Sequence, residues 1–574
     1  YSEMIPVGVS NARVKAELID PVFEEIEDAN LAKVEGLEYI AGQVEVEAGL
    51  VYDHKKPYAL VSFVPLRKNP SNGRYEKLIS FSISLEIEEQ YGTESVRAYS
   101  NNQSSVLSTG SWYKIAVNQS GIHRITYNEL ANMGVPVSVI DPRNIRIYGN
   151  GGGMLPERVG DFRYDDLTEN SIMVIGEQDG SFDASDYILF YGKGPHVWNY
   201  NPGSERFNHK VNIYSEYAYY FITTDLGPGM RITEQSSTGA AATHQVNKFV
   251  DRYFYEKELV NIVSTGRSWY DSPAFDDIRS SYDYTFTIPD IDVGTPVYIK
   301  SSVAARSFTS SSFNYYNNDA LIMTVSVNKV PNTAFAAYAS SSTRDETFTA
   351  TGSTLNIRVD YNLTSSGAKG WMDYIEINAT RQLRFTGGHM AFRDPVSAGT
   401  GNISEYTLAN ASSAVEVWNV TDPLKPTSLN ATLNGSNLVF RLPADSILEF
   451  VAIDGTSFYS PAFVKQVENQ NLHSLSGYEM IIVSHPNFLN EATRLANHHI
   501  EKDGLSVFVV TNELVYNEFS SGAQDITAIR DFMKMLYERE STGKELRYLL
   551  LFGDASYDYK DRIENNTNFV PTWE

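Results

Sequence analysis

The chain has 574 residues, 42% of them hydrophobic, with a formal net charge of −25, 37 tyrosines and no cysteine. That length predicts about three to five domains with real cores. The lack of cysteine excludes disulfides and Cys-ligated zinc within these residues, and the acidic balance, uninterrupted by a basic patch, excludes a nucleic-acid binder.

Residues 1–107 read as an amino-terminal β domain. The chain opens on Tyr1 without a signal pattern, so a processed or artificially set amino terminus is expected. Ile79, Phe81, Ile83, Leu85 and Ile87 alternate with polar neighbours, the pattern of a half-buried strand. Val61, Phe63 and Val64 are its expected partner, joined through the turn Asn69-Pro70-Ser71-Asn72-Gly73. Packing is the expected duty of this unit.

Residues 108–245 read as a mixed, β-rich module with one short helix. Tyr113, Ile115 and Val117 alternate, Ser120-Gly121 turns the chain, and Ile122 to Ile125 returns it. A short helix then ends at Met133-Gly134. Gly151-Gly152-Gly153 is a tight bend rather than a nucleotide loop, since no Lys-Ser or Lys-Thr follows to meet a phosphate. Asp179, Asp183 and Asp186 crowd an acidic loop around Gly180, an oxygen-rich pattern that Ca²⁺ favours but that falls short of an EF-hand. A solvated acidic turn before the strand Tyr187 to Tyr191 explains the same residues.

Residues 246–398 predict an antiparallel β-sandwich. Period-two runs recur at Tyr284, Phe286 and Ile288, at Leu321 to Val327, at Leu355 to Val359, and at Met372 to Ile377 with a register irregularity. Arg267-Ser268-Trp269-Tyr270 is expected to form an aromatic clasp between domains. Residues 399–474 read as a small β domain, with Leu472 to Gly477 as a linker.

From residue 475 the pattern changes. Met480 to Val483 is a buried strand, Leu489, Ala492, Leu495, Ala496 and His499 have helical spacing, and Asp503-Gly504 stops that helix. Val507 to Val510 is a second strand. Asp525 caps a helix whose apolar face is Ile526, Ile529, Met533 and Leu536, and Tyr548 to Phe552 is a third strand. Consecutive apolar strands joined by helices predict a parallel sheet covered on both faces. His485, Thr511, Asn512 and Asp554 fall at the carboxyl ends of its strands, where such sheets build sites. The fold class is therefore multidomain and mostly β, followed by an incomplete α/β domain.

Three segments carry a resemblance. Tyr478 to Pro486 (YEMIIVSHP), Tyr516 to Arg530 (YNEFSSGAQDITAIR) and Leu549 to Asp558 (LLLFGDASYD) resemble the opening of the peptidase domain of the gingipain-type cysteine peptidase family, C25. With Trp112 to Val117 and Ile188 to Gly192 upstream, the chain is similar to the surface-sortase branch of that family. The resemblance implies a caspase/gingipain-like α/β fold and a Cys nucleophile assisted by a His from a Gly-His-Gly loop. Neither is present here, so both are expected after Glu574, with no catalytic residue in this chain.

His485 and Asp554 are left as candidates that support the catalytic loops from behind, each against a plain turn or packing role. The intact protein is expected to remove the C-terminal targeting domain of type IX secretion cargo and attach the cargo to anionic lipopolysaccharide by cysteine acyl transfer. The implied partners are the outer-membrane barrel protein PorV, other type IX components, cargo C-terminal domains and the lipopolysaccharide, at the cell surface on the outer membrane. No cofactor is required, with a structural Ca²⁺ as the one candidate. A gingipain-like secreted endopeptidase and a non-enzymatic surface scaffold or adhesin are the alternatives.

Overall fold

A computed structural model describes the chain except residues 10–11, 27–36, 38–39, 54–55, 90–102, 334, 541–542 and 574. The chain separates into two compact units, residues 1–99 and 100–574.

The first unit holds two three-stranded antiparallel sheets. In one, Lys56–Ser62 lies between Ser2–Pro6 and Glu47–Asp53; in the other, Tyr75–Glu89 lies between Ala12–Glu25 and Leu66–Lys68. The expected strand over Ile79 to Ile87 is present, but its partner is Ala12–Glu25, with Leu18 opposite Ile83, and not the Val61 to Val64 segment. The turn at Asn69 to Gly73 explains the difference. It closes a hairpin of Leu66–Lys68 with Tyr75, held by Asn69 and Asn72 side chains accepting from the Ser71 and Arg74 amides, so Val61 stays in the other sheet. The small core is Val14, Ala59, Val61 and Phe63, with Phe63 stacked on Tyr1 and edge-on to Phe81.

The second unit begins with two sheets sandwiching one core. Trp112–Val117 and Ala218–Thr223 run antiparallel in one sheet, while Tyr187–Gly192 pairs with both Gly121–Thr126 and Ile172–Ile175 in the other. Ile115, Ile125, Ile147, Ile188, Phe190 and Ile222 fill the space between them. The expected short helix is Tyr127–Asn132, opened by a capping box in which Thr126 and Glu129 satisfy each other's amides.

The antiparallel sandwich is present. Four strands (Lys248–Glu256, Lys369–Gln382, Val297–Arg306, Ser340–Phe348) face four others (Ser281–Thr287, Thr354–Asn362, Ser311–Asn317, Ala320–Val327). The irregularity expected near Met372 is a register shift where Ser302 and Val303 meet Tyr374 and Met372. A second sandwich follows, with Phe392 stacked on Phe450, Tyr406 stacked on Phe440, and Phe440 edge-on to Phe450 in its centre.

Several sheets join segments that the sequence patterns assign to different domains. Thr233–Ser236 and His244–Val246 add parallel edge strands to the second sandwich. Ala462–Val467 returns to pair with Trp112–Val117. These strands are short or exposed, so period-two alternation does not announce them.

The carboxy-terminal region is the expected parallel sheet, with Met480–Ser484 between Val507–Thr511 and Tyr548–Phe552. Leu489–Asp503 covers one face through Ala492 and Ala496 against Met480 and Ile482. Ile526–Glu538 covers the other through Ile529, Phe532 and Leu536. Gly504, with φ 68°, ends the first helix in the left-handed conformation that glycine adopts without cost. A further helix, Asn512–Phe519, opens on Thr511 as its N-cap; at eight residues it is too short for helical periodicity to announce it. Ile482 is buried at the centre of the sheet, so Ile482→Ala should lower unfolding stability by about 2–5 kcal/mol in urea melts. A smaller loss would mean that the site collapses around the cavity.

Candidate functional site

The carboxyl edge of the parallel sheet is closed by one segment of chain. The Phe569 carbonyl accepts from Asn512 Nδ2 at 3.0 Å, and the Phe569 and Val570 amides donate to the Asp554 carbonyl at 3.1 Å each. The Phe569 ring meets the His485 imidazole edge-on at 5.2 Å. His485, Asn512 and Asp554 are thus gathered around Phe569, while Thr511 is turned to the helix it caps.

Their side chains are engaged locally. His485 Nδ1 accepts from the Asn487 amide at 3.2 Å, and partial burial lowers its pKa from the ordinary value, which favours the neutral ring. Asp554 is exposed and its carboxylate accepts from the amide of Ala555 at 3.1 Å. The His485 bond reaches the amide two residues on, the histidine counterpart of an Asx turn, whereas the Asp554 bond reaches only the next amide.

The acidic loop is likewise bonded to itself. Asp179 is exposed, and its Oδ1 accepts from the Ser181 amide at 2.9 Å. Asp186 is buried, and its Oδ2 accepts from the Asp183 amide at 2.7 Å. Among the described residues, no three His, Asp or Glu side chains are grouped to hold a metal ion.

The densest polar chemistry lies elsewhere, where the carboxy-terminal region packs on the module of residues 103–245. Leu472 to Gly477 is not a linker. Leu472–Ser474 is a buried 3-10 turn because the Leu472 and His473 amides donate to the two oxygens of Glu518, at 2.8 and 3.1 Å. His473 Nδ1 meets the same carboxylate at 2.5 Å, its Nε2 faces the Asp165 carbonyl at 3.1 Å, and its ring stacks on Phe519. His473 and Glu518 are fully buried. Burial alone would depress the imidazole pKa, but the carboxylates of Asp165, Glu518 and Asp166 outweigh it and raise the pKa to about 9. The imidazolium is the form present at neutral pH.

Lys114 crosses the same seam from the strand Trp112–Val117. Its ammonium donates to Asn517 Oδ1 at 3.0 Å and to the Gly522 carbonyl at 2.8 Å, and sits 4.4 Å from the centre of the Tyr219 ring. Burial lowers its pKa to about 8. A Cβ on Gly522, whose φ is +83°, would fall 2.8 Å from Lys114 Cε and 3.0 Å from Phe221, so only glycine fits under the lysine. Asp525, read as a helix cap, has a second task. One oxygen accepts from the Thr527 amide and the other from the Leu155 amide, each at 2.8 Å, tying the glycine-rich bend to the helix.

The expected aromatic clasp closes a second contact. Trp269 stacks on Tyr557, Arg562 lies 3.5 Å above the Trp269 ring, and Lys560 bonds Glu258 and Glu216 at 2.6 Å each. Residues 516–530 and 549–558, which carry the family resemblance, thus also hold this region against its neighbours, through Asn517, Glu518, Gly522, Asp525 and Tyr557. His473, Glu518 and Lys114 escaped the sequence reading. The one local hint is a charged residue beside a large apolar one, as Glu518 stands beside Phe519.

Residues 473–574 match the model of peptidase family C25, which bears out the resemblance read in the three segments. The structure is similar to that of dimeric latent PorU from Porphyromonas gingivalis, with TM-score 0.72 and 26% identity over 83% of this chain. The chain spans 45% of the length of that PorU. The CBM36-1 domain of a multidomain xylanase from the hindgut metagenome of Trinervitermes trinervoides aligns at 8% identity over 22% of this chain and 96% of its own, with TM-score 0.15, too low to carry an argument. No curated protein sequence matches the chain.

Two outcomes follow from this geometry. Because the folded pKa of His473 lies above its ordinary 6.5, the pair's contribution is complete below pH 6.5 and is lost as pH rises through about 9. Glu518→Gln strands the buried imidazolium, so it should cost about 3–5 kcal/mol at pH 6 and less at pH 10; equal losses at both pH values would contradict the charged pair. For the acidic loop, where the Asp179 and Asp186 carboxylates are already bonded to backbone amides, chelation should leave the melting temperature unchanged. A fall reversed by Ca²⁺ but not Mg²⁺ would establish the cation site instead.

Proposed function

We propose that the chain is the amino-terminal part of a PorU-type sortase of the type IX secretion system, placed at the cell surface on the outer membrane. The carrying observation is the likeness to PorU over most of the chain, β modules included. A gingipain-like secreted endopeptidase is expected to resemble only the carboxy-terminal region.

In this reading the β modules are a rigid mount. An α/β sheet that must present a cleaved cargo end to a membrane-bound acceptor needs a fixed orientation, and the buried His473–Glu518 pair and Lys114 supply one. The intact protein's cysteine thiolate attacks the scissile carbonyl of cargo, forming a thioester as the targeting domain leaves with its new amino group protonated by the Gly-His-Gly imidazole. An amine of anionic lipopolysaccharide then attacks the thioester, releasing the thiolate and joining the cargo through an amide. PorV is the proposed docking partner. The chemistry requires no cofactor.

The 574 residues contain no cysteine, so this chain alone should leave cargo uncut when incubated with purified cargo bearing its C-terminal domain. The full-length protein should release that domain, and replacing its nucleophilic cysteine with alanine should abolish release. Release by the 574-residue chain, or a full-length protein indifferent to loss of the thiol, would sink the proposal and favour another protease class or a scaffold.

A further inference from the structure

A cavity of about 510 Å³ opens where the amino-terminal module of the second unit meets both sandwiches, within the size range of small-molecule sites. Gln119, Lys193 and Trp198 come to it from the first, Arg252 from the strand Lys248–Glu256, and Arg393 and Glu449 from the second sandwich.

Its charges do not balance. Arg393 pairs with Asp251 at 3.2 Å and Glu449 at 2.9 Å, Arg252 pairs with Glu449 at 3.1 Å, and Arg381 reaches Asp251 from behind at 2.6 Å. Two carboxylates therefore serve three guanidiniums. Lys193 adds a fourth cation, and its ammonium makes no hydrogen bond or ion pair among the described residues. Arg381 lies outside the lining, so Lys193, Arg252 and Arg393 face two carboxylates in the recess, one of them shared with Arg381, and positive charge is in surplus there in a chain whose net charge is −25. Burial pushes the Lys193 pKa down, and it takes that of Arg252 to about 10, the mark of cations short of compensation. A partly buried surplus charge is costly unless a counter-charge meets it.

Arg252 is oriented to meet an anion. Arg252 lies 5.6 Å from the Trp198 ring centre and 4.6 Å from that of Phe207, which fixes its guanidinium plane. Only one of its nitrogens is committed to Glu449, leaving N–H groups for a planar or tetrahedral oxyanion.

We propose that this cavity binds an oxyanion, a carboxylate or phosphate carried on a small molecule, through Lys193 and Arg252, with Arg393 held behind them by Asp251 and Glu449. The site is independent of the acyl-transfer reading, because its test measures binding to the 574-residue chain and no turnover. Inorganic phosphate and succinate are titrated separately by calorimetry, at ionic strength held constant with chloride, and the melting temperature is followed in parallel.

Saturable binding of one or both, with a raised melting temperature, is expected. Response to phosphate alone assigns a phosphate ligand, and response to succinate alone a carboxylate. Lys193→Met should abolish the response and melt without ligand at or above the parent's temperature, since it keeps the aliphatic stem and removes the surplus charge; Arg252→Gln should weaken binding about tenfold or more. No saturable binding of either anion, unchanged binding by Lys193→Met, or a Lys193→Met chain that melts well below the parent would overturn the site.

Discussion

A buried carboxylate, that of Glu518, organises the seam on which the carboxy-terminal region rests. It receives the amides of Leu472 and His473, the Gln470 amide group and the His473 imidazole. A buried ion pair is weak support for stability when compared with well-packed apolar residues. Its worth here is registration. The hydrogen bonds exist only when residues 470–473 and the helix Asn512–Phe519 stand in one relative position, and Phe519 then stacks on the imidazole. Lys114 extends the same constraint to the strand Trp112–Val117, and that strand is itself paired with Ala462–Val467, just upstream of the seam.

Much of the parallel sheet was legible because its signals are local. Continuous apolar strands, the Asp525 cap and the Gly504 stop each act within a few residues, and the structure places them where the spacing predicts. The central sandwich was legible for the same reason. Period-two alternation survives burial on one face, as Ser281–Thr287 and Thr354–Asn362 show.

The seam was not legible, because nothing local distinguishes a solvent-facing His, Glu or Lys from one buried against a segment hundreds of residues away. Lys114 sits in a strand whose alternation assigns it to the outside, and that outside is covered by Asn517 and Gly522. Leu472 to Gly477 reads as a linker by its short, mixed composition, yet its first two amides, those of Leu472 and His473, are buried on Glu518. The partner of the Tyr75–Glu89 strand was missed because a turn fixes only the adjacent hairpin, here with Leu66–Lys68, and leaves the other edge undetermined. Of the candidate site residues, His485 and Asp554 do meet at Phe569, a convergence that their positions after two strands of one parallel sheet made foreseeable.

Residues 473–574 are fixed to the β modules of the second unit as one cooperative body rather than tethered to them. Native-state hydrogen exchange measures this directly. The amides of Leu472, His473 and Leu155 should exchange as slowly as those of the strands Trp112–Val117 and Ala218–Thr223, and should open with them in a single step as denaturant is added. Exchange at these three amides by an earlier, separate opening, with the strands still protected, would contradict it.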